Sequence, residues 1–71
     1  MKLHSLRLPA ERENLVRQMA ADLERFEAYA NSSDAIRSLI GRYPPLDVAL
    51  YADDARQVAM QSVVAREMAR S

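Results

Sequence analysis

No cysteine, no tryptophan, one glycine, one histidine and a formal net charge of zero leave this chain of 71 residues with little of an enzyme's usual equipment. Without Cys there is neither a disulfide nor a thiolate metal site to reinforce a small core. With Gly41 alone, neither a phosphate-cradling loop nor a dinucleotide fingerprint can be assembled. His4 is the only side chain that ordinarily titrates near neutrality, and it precedes every segment with a helical pattern. No Ser, Asp or Glu stands at a spacing that would make it part of a catalytic pair. Asp53-Asp54 lacks a surrounding loop of further oxygen ligands, so helix capping rather than cation binding is its expected role. A non-enzymatic protein with no cofactor and no metal is expected.

Other absences bear on location. The first nine residues carry Lys2 and Arg7 but lack the apolar stretch of about 7 to 15 residues of a signal peptide. No uncharged run approaches the roughly 18 apolar residues of a membrane span. A cytoplasmic protein that does not enter membranes is expected. Nine Arg against one Lys, with 12 Ala, is the residue usage of a GC-rich bacterial or mobile-element gene.

Charge is balanced along the chain too: residues 1 to 30 and residues 31 to 71 each carry five basic and five acidic side chains. The strong basic footprint of many nucleic-acid-binding domains is therefore missing. Hydrophobic residues make up 49% of the chain, but so many are Ala that bulky side chains are few. A chain this short buries roughly 60% of its unfolded surface, and such cores rarely supply more than about 3 to 5 kcal/mol. Self-association is the expected source of further buried area.

What is present is helical periodicity. Pro9 suits a first helical position, followed by Glu11 and Glu13 where the helix dipole favours acids. Val16, Met19, Leu23, Phe26 and Ala30 then recur at spacings of 3, 4, 3 and 4, flanked by Leu15 and Tyr29, which predicts a helix over 9–30. Glu13 and Arg17 form an i,i+4 pair on its polar side. Asn31-Ser32-Ser33-Asp34 punctuates the chain. Ile36, Leu39, Ile40 and Tyr43 predict a short second helix over 33–42, weakened at Gly41 and ended by Pro44-Pro45.

A third helix over 47–69 should begin at an Asp47 cap, with Leu46 and Leu50 or Tyr51 as a hydrophobic staple and a possible break near Tyr51 to Asp53. Val48, Ala52, Ala55, Ala59 and Val63 form a stripe of small residues for close helix approach. Met60, Val64 and Met68 form a second, bulkier stripe. Two stripes imply two neighbours, one of them from another chain. The expected fold is all-α: one domain over residues 1–71, a small three-helix bundle with long first and third helices, the first antiparallel to the third, completed by dimerisation. Residues 1–8 are expected to be flexible or a short strand. Met60, Val64 and Met68 are the expected protein interface, and the leading function is helix-mediated interaction with a second copy or another protein, with a regulatory role.

The segment Leu3 to Arg17, LHSLRLPAERENLVR, resembles the opening of ribbon-helix-helix DNA-binding regulators, in which an alternating strand leads through a Pro into the first helix. The resemblance implies a dimer whose paired strands enter the major groove. Leu3, Ser5 and Arg7 would point outward, Leu6 and Leu8 inward, and Ser33-Asp34-Ala35-Ile36 would open the second helix. Ser5, Arg7 and Arg12 are then the candidate DNA contacts, since Ser and Arg reach bases or phosphates. The match covers less than half of the chain, and Arg12 and Glu13 stand where that family carries apolar residues. DNA binding is accordingly the alternative reading.

Overall fold

A computed structural model describes residues 9–70, and every element among them is an α-helix: α1 spans Pro9–Arg25, α2 spans Ser32–Leu39 and α3 spans Pro45–Arg70. The three pack together, with α1 against α3 as the largest interface. No helix among the described residues is long and apolar enough to cross a membrane. The expected character of residues 1–8 lies outside the described residues.

Helix α1 stops at Arg25, five residues before the apolar spacing runs out. The Ala28 N–H donates to the Leu23 carbonyl at 2.8 Å and the Glu27 N–H to the Glu24 carbonyl at 3.2 Å, with Glu27 at φ 53°. This pair of bonds is a Schellman closure, which places one residue in the left-handed region and packs the residue after it on the last turn. Leu23 and Ala28 are both buried. Satisfying the last carbonyls and burying Ala28 together outweigh the periodicity of Phe26 and Ala30, and Phe26 lies 44% exposed.

The Asn31 punctuator is the N-cap of α2: its side chain accepts from the Asp34 N–H at 2.8 Å while its amide donates to the Asp34 carboxylate at 3.2 Å. Helix α2 ends three residues sooner than its pattern suggests. Ile40 at φ −61° and ψ 137°, Gly41 at φ 91°, and an Arg42 N–H donating to the Leu39 carbonyl at 3.0 Å form a type II turn. Only Leu39 of that apolar stripe is buried beside Ala35; Ile36 and Ile40 face outward.

Helix α3 starts two residues early and runs without a break. The Pro44 carbonyl accepts from the Val48 N–H at 3.1 Å, which leaves Pro45 in the first helical position where its missing donor costs nothing. Asp47 is thus a buried first-turn residue rather than the cap, and Leu46 is exposed rather than a staple. Asp53 and Asp54 sit inside the continuous helix on its exposed side, so they cap nothing.

Helices α1 and α3 pack along each other. Phe26, just past α1, lies 4.4 Å beneath the Arg42 guanidinium, just before α3. Arg12, Val16 and Arg17 of α1 face Asp54 and Val58 of α3, and Glu24 in the last turn of α1 pairs with Arg66 near the end of α3. The fully buried side chains of greatest volume are Met19 and Leu23 from α1, Leu39 from α2 and Val48 from α3. Beyond Val48, α3 brings Tyr51, Ala52, Ala55 and Ala59 to the core. Three of these side chains are single methyl groups, which let the helix axes approach at the lower end of the usual 8 to 10 Å.

Candidate functional site

Helix α3 has an inward and an outward face. With 100° of turn per residue, Leu46, Asp53, Gln57, Met60, Val64 and Met68 fall within about 40° of one line, opposite the line of Val48, Ala55 and Ala59. The inward residues are buried; Met60, Val64 and Met68 are 40%, 52% and 71% exposed and Leu46 is 56% exposed. The structure therefore places the three expected interface residues together on one exposed surface of α3. Leu46 belongs to the same surface. Its position on the line was readable from the spacing, but its pairing with Leu50 in a staple was the competing use.

Past Ala59 no described residue of α3 is buried, and only Ser62 and Val63 are half-buried. The middle of the outward face is polar. Asp53 accepts from Arg56 Nη2 at 3.5 Å, and Arg56 Nη1 lies 3.5 Å from the Met60 sulfur. The Arg56 Nε is shielded from solvent without a hydrogen-bond partner.

The other sequence-derived candidates are scattered. Ser5, Arg7 and His4 lie outside the described residues. Arg12 is exposed in the second turn of α1, beside Glu13 and across from Asp54. Its surroundings are mixed in sign rather than basic. The Glu13–Arg17 pair forms at 4.0 Å with both side chains 73% exposed, where such pairs contribute little. Among the described residues no group of three or more His, Asp or Glu is placed to hold a metal ion.

One polar contact joins residues far apart in the sequence. The Tyr43 hydroxyl donates to Asp22 Oδ2 at 2.6 Å and ties α1 to the loop before α3. Burial, the bond to Asp22 and the charge of that carboxylate together push the Tyr43 hydroxyl up to about 12. The spacing sets Tyr43 on the apolar stripe of the second helix; the turn at Gly41 takes it out of that helix and turns it toward α1. The bond braces the start of α3 against α1.

An open depression of about 340 Å³ is lined by Arg12, Glu13, Val16, Arg17, Asp54 and Val58. A groove of about 90 Å³ between α2 and α3 is lined by Ala35, Ile36, Val48 and Ala52, with Ser32 and Asp53 at its rim. It has room for one aliphatic side chain and holds no convergent set of polar groups. Comparison with protein-family models, with curated proteins and with solved structures gives no match to this chain.

Proposed function

We propose that this chain is a non-enzymatic interaction protein, with a regulatory role, that acts through the outward face of α3. The observation that carries the reading is the position of Met60, Val64 and Met68: bulky, apolar, solvent-facing and pointed away from the core they would otherwise enlarge. Grouped apolar surface on a small domain marks a contact surface, and Met adapts its shape to a partner. A helix presenting apolar anchors at i, i+4 and i+8 suits docking on another helix. Cytoplasmic association with a second copy or another protein is the activity proposed.

Met60→Asp and Val64→Asp test this. Each places a carboxylate on the outward face, leaves the core untouched and should lower the native mass of the assembled protein with ellipticity unchanged. A wild-type chain that is monomeric, and that neither substitution alters in native mass or in ellipticity, would overturn the reading.

A further inference from the structure

We propose that Met60 is a site of reversible oxidation by peroxide, and that the sulfoxide formed there is received by the Arg56 guanidinium. The chain has four methionines, and the three described ones stand in different surroundings. Met19 is wholly buried in the core, whereas Met60 and Met68 lie in the open on the outward face of α3. A small oxidant therefore has access to Met60 and Met68 and none to Met19. Met60 also has a cation directed at its sulfur: Arg56 Nη1 lies 3.5 Å away, from one helical turn earlier.

That guanidinium is under-bonded. Its side chain is only 22% exposed, its Nη2 reaches Asp53 Oδ1 at 3.5 Å, and its Nε is shielded from solvent without a partner. A thioether sulfur is a weak acceptor, so the contact at Nη1 satisfies little. Oxidation supplies a stronger one. A lone pair of the sulfur attacks one peroxide oxygen, the O–O bond breaks as the S–O bond forms, and the departing hydroxide takes up the remaining proton and leaves as water. The sulfur is oxidised and the peroxide reduced by one electron pair. The new oxygen carries partial negative charge, so a guanidinium N–H donating to it forms a charge-assisted bond. The flexible methionine side chain can bring the oxygen onto Nη1 while Asp53 stays at Nη2. What this does to the outward face rests on the reading above: a polar oxygen pinned beside Val64 spoils an apolar contact surface. Oxidation of the free chain then blocks association, and enzymatic reduction of the sulfoxide restores it.

Denaturant midpoints test the pairing. The full-length Met68→Leu chain, with and without Arg56→Gln, is treated with hydrogen peroxide until peptide mapping shows one added oxygen at Met60; Met1 is common to both and cancels in the comparison. Oxidation should leave the midpoint unchanged or raised where Arg56 is present, and lower it where Arg56→Gln removes the donor. An equal shift in the two chains would overturn the proposal, as would a Met60 that stays unmodified while Met68 of the unsubstituted chain is oxidised. The Arg56 Nε–H resonance gives a second readout that needs no substitution at Arg56. It should move when Met68→Leu is oxidised and stay in place in Met60→Leu/Met68→Leu; no movement in either would overturn the proposal. Native mass separates the switch from the reading beneath it. Oxidation should bring an assembled protein to its 8.0 kDa monomer mass and leave the Met60→Leu assembly intact. An assembly that survives oxidation of Met60 would overturn the switch while Val64→Asp still decides the interface. A chain monomeric before oxidation would overturn self-association, with the Met60–Arg56 pair still decided by the midpoints.

Discussion

The first half of α3, from Pro45 to Ala59, and its second half, from Met60 to Arg70, are drawn from much the same residue types and meet opposite surroundings. In the first half every residue on the inward line is buried against α1 and α2. In the second, none is buried: Ser62 and Val63 are half-buried, and Arg66 lies exposed in a pair with Glu24. The difference lies in what the rest of the chain brings alongside. The Schellman closure, the Asn31 cap, the type II turn and the Tyr43–Asp22 bond all gather at the end where α3 begins. Amphipathic sequence alone does not bury a residue; a neighbour held in place does.

The comparison is broken most severely by removing bulk from the closed end. Leu23→Ala deletes one of four fully buried large side chains and should cost about 2 to 5 kcal/mol. Against a total of only about 3 to 5 kcal/mol for a domain of this size, thermal melts should show a largely unfolded chain. Val64→Ala, a truncation in the second half, should change the stability of the monomer by less than about 0.5 kcal/mol. Equal losses at the two positions would refute the contrast.

A smaller effect, with a pH signature, is expected at Tyr43. Tyr43→Phe should cost about 1 to 2 kcal/mol, the net worth of a hydrogen bond to a charged acceptor in a partly exposed setting. The folded hydroxyl titrates at about 12 and the unfolded one near its ordinary 10.0, so the bond stabilises fully below pH 10. That contribution is lost as the pH rises from about 10 to about 12. Chemical denaturation at a series of alkaline pH values should show the decline in the wild type and a flatter curve in Tyr43→Phe.

The smallest effects compare two left-handed residues at the closed end. Gly41 at φ 91° should resist substitution: Gly41→Ala should cost about 1 kcal/mol through backbone strain alone, since a Cβ there meets no atom within 4 Å. Glu27 occupies the same region of backbone with a side chain, so Glu27→Gly should be neutral or raise stability by up to about 1 kcal/mol. Opposite signs at the two sites, read from denaturant midpoints, are the expected outcome.

These particulars show what a linear reading reaches. Existence and order of three helices follow from the spacing of Met19, Leu23, Leu39 and Val48, and the two stripes of α3 are visible because each repeats every three or four residues. Helix ends were harder. Glu27 in a left-handed cap has no residue signature, since Gly or Asn is the usual mark, so the spacing of Phe26 and Ala30 carried the expected first helix too far. Gly41 was noticed, but as a weak helix former rather than as the corner of a turn. Asp47 resembled a cap because its chemistry suits one, whereas the Pro pair sets the start of α3. The Tyr43–Asp22 bond joins residues 21 apart in sequence and could emerge only once that turn was known.

Ala52, Ala55 and Ala59 carry one more consequence. They contribute little apolar area each, so a survey of the core by bulk would pass over them in favour of Met19 and Leu23. Yet Ala55 and Ala59 are wholly buried, and every common replacement except Gly and Ser is larger, whereas Ala52 borders the groove to α2 and has space beside it. In a saturation scan of all positions, Ala55 and Ala59 should tolerate the fewest amino acids in the chain. The narrowest passage for sequence drift in this fold is set by its smallest side chains.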